Sequence, residues 1–410
     1  MPAIIVFIGI FLGEWAIRDF LVVPADRLTS TLWVFRITMF TSFFTMIAVP
    51  YSALFIAYQN IIVYTFISFT QTILVFCSAF SLRFFTCDKL ILYTAFVALA
   101  QIITYSLQIV VATKKYKCTR IKFSYFFNKI YTKDILKFSF WNMMGDLGHL
   151  VRTQGISIIV NLYLGPKGNA ALGIANQVSM QACNLTNAMS GATSPEIYRR
   201  VGEKKFESAA NLSDYTSKIG VFLMCILGIP ISLNIDSILK LWLVNVPEGT
   251  STLCLCFIFM FVIEKMTMGQ QKYLSAIGKV ALVNCLIFAF YCSAVLLPFL
   301  GLLKYGLLGI GISCIISMAL SRLSIVYCMN KYTHYRYWYF GKEFMFPMLV
   351  VCTIFVLVQE CLSFSSQNLF GLIISCGISC ICSVIVCFFL IFSNKERSRL
   401  VDLIIKKVKS

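Results

Sequence analysis

Charge is scarce in this sequence, and negative charge scarcest: 13% of the 410 residues are charged, and Asp and Glu together number 17. A water-dispersed domain carries about 25% charged residues, so a soluble enzyme is excluded. Histidine occurs twice, and no CxxC pair is joined to a second pair or to a histidine cluster, which argues against a zinc module or other metal site. There is no Walker A loop, no GxSxG and no HExxH. The segments between apolar runs also lack the clustered carboxylates with which membrane glycosyltransferases hold a metal-bound sugar donor. The expectation is therefore a protein that is not an enzyme and uses no cofactor. The first residues, MPAIIVFIGI, carry no basic region and no small-residue cleavage site, so no removable signal peptide is expected.

What is abundant is apolar. Hydrophobic residues make up 59% of the chain, and the mean hydropathy is +0.83. Most of the 17 cysteines lie inside apolar runs, among them Cys285, Cys292, Cys314, Cys376, Cys380, Cys382 and Cys387, where Cys behaves as a small hydrophobe. Apolar runs long enough to span a bilayer occur at 2–22, 32–58, 61–82, 90–113, 135–164, 168–194, 213–235, 251–271, 280–301, 305–330, 344–362 and 368–393. They are too long and too uniformly apolar for outer-membrane strands, so the spacing predicts an all-α integral membrane protein of about 12 transmembrane helices.

The basic residues set the orientation. With Met1 in the cytoplasm, 25 of the 35 Lys and Arg side chains fall on the cytoplasmic side and seven outside, leaving Arg36, Arg152 and Lys265 within spans. Lys218, Lys272 and Arg322 are counted here as cytoplasmic. Both termini are accordingly expected in the cytoplasm. Nucleic acid is not an expected partner, because the charge follows topology and forms no stripe with stacking aromatics. The tail from Lys395 to Lys409 alternates basic and apolar residues and suits membrane lipid. The basic, aromatic segment 114–134 is the natural divider, giving a first lobe over 1–113, a second over 135–331, two further helices over 343–393 and a basic tail over 394–410. The mixed charges after Glu196 read as a solvated helix end.

Ionisable residues inside lipid are costly and point to a transport path. In the fifth span Asn142, Asp146, His149 and Arg152 follow one another at i+4, i+3 and i+3, forming one winding polar face. That face is either a closed network in which Asp146 and Arg152 cancel or the charged wall of a substrate cavity. The sixth span repeats the pattern with amides: Asn176, Gln177, Gln181 and Asn184 either bind sugar hydroxyls or bind neighbouring helices together. Arg36, one turn into the second span, could snorkel or face a cavity. Glu264 and Lys265 are adjacent and so diverge by about 100° around a helix, which argues against their pairing with each other.

The stretch FSFWNMMGDLGHLVRTQGISIIVNLYLGPKGNAALGIANQV, Phe138 to Val178, resembles the bacterial polysaccharide-transporter family, the Wzx-type O-antigen and capsule flippases. VPYSALFIAYQN from Val49, SPEIYRR from Ser194 and MTMGQQKYLSAIGK from Met266 extend the likeness over nearly the whole chain. The wider superfamily includes the MATE multidrug exporters and the lipid II flippases. The resemblance implies two six-helix lobes around a cavity that opens to each side in turn. Only four spans precede Phe138 where the family has six, so the chain reads as lacking the first two helices. The resemblance also implies an inner-membrane protein moving a polyprenyl-pyrophosphate-linked oligosaccharide for O-antigen, capsule or exopolysaccharide synthesis, alongside polymerases or glycosyltransferases. Two rival readings stand beside it. One is a MATE-type cation-coupled exporter, disfavoured by the absence of Asp and Glu from Leu28 to Cys87. The other is a non-transporting membrane scaffold, which the missing helices would suit.

Overall fold

A backbone inside lipid must satisfy its polar groups within its own segment, and the chain answers with helices. The computed structural model describes residues 2–398 except 22, 25–26, 59, 86–87, 117–118, 120–128, 301, 334, 362–368 and 395. Among the described residues there is no strand, and every apolar run named above forms helix. The chain divides into two compact units, Met1–Thr132 and Lys133–Ser410.

The first unit contains α1 (Pro2–Trp15), α2 (Leu28–Ala57), α3 (Ile61–Ser81) and α4 (Lys89–Lys115). Asp88 begins α4, its side chain accepting the Leu90 N–H at 3.0 Å, and an ion pair of 3.6 Å with Arg27 draws in the start of α2. A small aromatic core of Phe55, Ile67, Ala112 and Tyr116 closes the opposite end, where the Asn60 amide donates to the Tyr116 hydroxyl at 3.0 Å. Large apolar side chains such as Phe40, Phe66, Phe69 and Phe76 are exposed, as contact with lipid requires.

The first helix of the second unit, α5 (Lys129–Gly202), starts just before the boundary and is two helices in succession. Gly165 breaks it with φ 69° and ψ −171°, a conformation that a residue bearing Cβ rarely adopts, and Pro166 follows. Ser157 donates to Asn169 at 2.9 Å, tying the two halves together across the break. Next come α6 (Phe206–Leu233), α7 (Ile235–Trp242), α8 (Thr250–Lys265), α9 (Met268–Ala276), α10 (Val280–Leu296) and α11 (Gly306–Thr333). The unit ends with α12 (Tyr337–Phe340), α13 (Phe346–Cys361) and α14 (Leu369–Ile391). The central helix is α11. Its Ser313, Ser317 and Ser321 recur every fourth residue and are fully buried, so α8 and α10 can pack closely on it. Ser313 and Ser317 satisfy their hydroxyls on carbonyls of the preceding turn, at 2.7 and 3.2 Å, so the small face adds no unpaired donors.

Seven described helices are long and apolar enough to cross a membrane, and an eighth crossing follows if the bent pair α8–α9 counts as one span. At 14 and 16 residues, α1 and α13 are by themselves short of a full crossing, and the halves of α5 are not among the seven.

Candidate functional site

The halves of α5, with α8, α9, α10 and α11, enclose a cavity of about 900 Å³ in the second unit. The first half of α5 presents Asp146, His149, Arg152 and Thr153 to it, and the second half presents Asn176, Asn184, Asn187 and Tyr198. Glu264 comes from α8, Gln271, Lys272 and Ser275 from α9, Asn284 and Tyr291 from α10, and Arg322 from α11. Asn284 also donates to the Trp141 carbonyl at 2.9 Å, holding α10 against the start of the polar face.

Tyr291 organises the cationic side. The Arg152 guanidinium carbon lies 5.0 Å from its ring centroid and that of Arg322 lies 5.9 Å away. The imidazole of His149 sits edge-on at 6.4 Å. Arg322 donates to the Tyr291 hydroxyl and, at 3.0 Å, to Gln271 Oε1; Arg152 donates to the Met260 thioether at 2.8 Å. Both arginines are about 95% buried, at 4% and 5% exposure, yet the Nε of each lacks a hydrogen-bond partner. Among the described residues neither forms an ion pair. Two desolvated guanidiniums beside one aromatic ring leave strong donor capacity unused, and a multi-oxygen anion matches it.

Glu264 is already engaged. Its Oε1 lies 3.1 Å from Lys265 Nζ, and the same ammonium donates to Asn187 Oδ1 at 3.0 Å. The expected divergence of Glu264 and Lys265 is therefore corrected: two long side chains bend back across the 100° that separates their Cα atoms. Lys265 is thereby fully buried and does not itself line the cavity.

Of the other sequence-derived candidates, Gln177 and Gln181 are exposed and outside the cavity, and Gln181 accepts from Asn184 at 3.4 Å. Asn142 stands on α5, its side chain outside the described residues. Arg36 belongs to the first unit, where Nε and Nη2 grip both carboxylate oxygens of Glu14 at 2.6 and 3.1 Å. It is a paired cation. Arg322 and Lys272, counted with the cytoplasmic residues, line the cavity, and Lys218, counted likewise, is 2% exposed, bridging Glu343 at 2.6 Å and Glu396 at 3.0 Å.

The SPEIYRR segment ends α5. Arg199 and then Arg200, each with Nε 2.8 Å from the Glu196 carboxylate, hold that carboxyl down at about 2. Arg200 also donates to Ser208 Oγ at 2.9 Å, fastening this end to α6, while Tyr198 turns to the cavity.

The MatE family model matches residues 152–300, a stretch that begins at the cavity arginine of α5 and ends just past α10. No curated protein matches the sequence. Solved structures share the fold. The lipid II flippase MurJ in an inward closed conformation aligns at 12% identity and a TM-score of 0.67, covering 94% of this chain and 80% of that one. A MOP-superfamily transporter from Pyrococcus furiosus, described as having a binding pocket of reverse polarity, aligns at 12% identity and 0.64, covering 80% and 75%. An outward-facing multidrug-resistance MATE transporter aligns at 13% identity and 0.63, covering 79% and 73%. The MatE model thus matches residues 152–300 of a chain whose fold is similar to that of the solved MATE and MurJ transporters.

Proposed function

We propose that this protein is a flippase that carries polyprenyl-pyrophosphate-linked oligosaccharide across the bacterial cytoplasmic membrane by alternating access, supplying O-antigen, capsule or exopolysaccharide synthesis. The observation that carries this reading is the pair Arg152 and Arg322, buried on one aromatic ring with unused Nε donors and, among the described residues, no ion pair to a carboxylate. An isolated buried cation is expensive, and a ligand anion offsets that cost. In this reading the pyrophosphate lies between the two guanidiniums while Asn176, Asn184 and Asn187 meet sugar hydroxyls. Residues 135–331 form the substrate-holding lobe, 343–393 supply two further helices, and both termini are cytoplasmic. In cells lacking the native flippase, the Arg152→Ala protein, present in the membrane at normal level, should fail to support surface-glycan assembly. Full assembly by that variant would sink the proposal.

One observation favours a second reading. Asp146 lines the same cavity and forms no ion pair among the described residues, as a site for an amphipathic organic cation would need. Whole-cell efflux of cationic dyes separates the two: an exporter expels the dye and loses this ability in Asp146→Asn, whereas a flippase leaves dye content unchanged.

A further inference from the structure

The wall of the cavity is broken in the middle. Helix α8 ends at Lys265, α9 starts at Met268, and the two meet at a bend of 40°. Glu264 lines the cavity before the break; Gln271, Lys272 and Ser275 line it afterwards. There is no proline in the break, so the bend needs another cause.

That cause lies on α6. An unbroken helix would send the Gly269 N–H to the carbonyl of Lys265, four residues back. It donates instead to Ser217 Oγ at 2.8 Å. The Ser217 hydroxyl passes its own hydrogen to Gln270 Oε1 at 2.6 Å, and Gln270 Nε2 donates to Asp214 Oδ1 at 2.7 Å. Ser217 therefore caps the start of α9 from a neighbouring helix, and Asp214, three residues before it on the same face of α6, holds the Gln270 side chain in place. The approach is so close that a Cβ on residue 269 would lie 1.9 Å from the Ser213 carbonyl oxygen, so only glycine allows it.

The bent form leaves one group unsatisfied: the hydroxyl of Thr267, at the break itself, is fully buried and has no partner. In a straight helix that hydroxyl reaches the Ile263 carbonyl one turn back. A straight form would exchange these bonds. Bending gives Gly269 its Ser217 partner and orphans Thr267; straightening returns Gly269 to Lys265 and satisfies Thr267. An element with two alternative sets of bonds has two discrete positions.

We propose that the Met266–Thr267 break is the hinge on which α9 opens and closes this cavity, and that Ser217 and Asp214 of α6 are its latch. The nine residues of α9 span about 13 Å, so removing a 40° bend carries the far end, at Ser275, through about 9 Å. The same motion pulls Gln271 from its 3.0 Å contact with Arg322, so the hinge position and the freedom of that guanidinium change together.

The test uses full-length protein in lipid nanodiscs with genetically encoded spin labels at Ser275 on α9 and Asn211 on α6, which leaves the native cysteines untouched. Pulsed electron resonance should resolve two distance populations several ångströms apart. Ser217→Ala should shift their ratio about tenfold toward the straight form, the effect of losing one buried hydrogen bond and stranding its donor. Thr267→Val, which keeps the shape and removes the orphaned hydroxyl, should shift it toward the bent form. A single population unmoved by either substitution, or shifts of the same sign in both, overturns the hinge. No substrate is present in these measurements, so their failure leaves the anion-binding role of Arg152 and Arg322 standing, and loss of that role leaves the hinge standing.

Discussion

Arg152 of α5 and Arg322 of α11 share one ring: both guanidiniums lie within 6 Å of the centroid of Tyr291, and neither forms an ion pair among the described residues. Their separation in sequence is 170 residues, and only the packing of α5 and α11 on α10 brings them together.

If these arginines receive a phosphoanion, their fork geometry matters as well as their charge. Replacing either by Lys keeps the charge but loses the planar pair of donors. Each substitution should weaken pyrophosphate binding by about tenfold to a hundredfold, the worth of one charge-assisted hydrogen bond. Titration of inorganic pyrophosphate by calorimetry checks this; unchanged affinity in both Lys variants would show that charge alone suffices.

Arg36 should behave differently, because Glu14 already holds it with two contacts. Arg36→Gln should leave pyrophosphate affinity unchanged and lower the melting temperature only slightly, as for a solvent-screened pair. The same calorimetric titration, run beside a thermal melt, measures both. A large loss of affinity would place Arg36 in the binding machinery.

Lys218 is the buried hub between α6, the π-helical segment Gly341–Met345 that holds Glu343, and the segment after α14. Lys218→Met strands two carboxylates and should cost about 3 kcal/mol of stability. The triple variant with Glu343→Gln and Glu396→Gln should recover most of that loss, because no unpaired charge remains. Melting temperatures in detergent, compared across the three proteins, decide it; a triple variant as unstable as the single would contradict the ionic explanation.

Glu196 gives a pH dependence with a definite sign. Its carboxyl falls from an ordinary 4.5 to about 2, chiefly through Arg199 and then Arg200. A depressed carboxylate stabilises fully above its unfolded value and loses that contribution as pH falls toward the folded one. The melting difference between wild type and Glu196→Gln should therefore be constant from pH 7 to 5 and vanish between about 4.5 and 2. Because the pair is at the surface, added salt should shrink it.

The polar face of α5 was legible because its register is local: Asp146, His149 and Arg152 at helical spacing have to share a side wherever the helix packs. Glu264 was legible for the same reason, as a lone acid in an apolar run. Arg322 was missed. It stands eleven residues before the end of its helix, close enough to Lys331 and Arg336 to be counted with them as an anchor. Its partners Gln271 and Tyr291 lie on two other helices, which no local pattern reveals; the signal present was its setting among Ser321, Ser324 and apolar residues. The break after Lys265 was hidden by the continuity of the apolar run from 251 to 271. Only Gly269 hinted at it, and the reason for that glycine, the Ser213 carbonyl, belongs to α6.

Transport itself is the most direct test. In proteoliposomes containing only this protein and a fluorescent polyprenyl-pyrophosphate oligosaccharide, wild type should move the lipid between leaflets, and Arg152→Ala and Arg322→Ala should each slow it by about tenfold or more. Movement by the double variant at the wild-type rate, or no movement by the wild type, would contradict the assignment of this cavity to a lipid-linked anion.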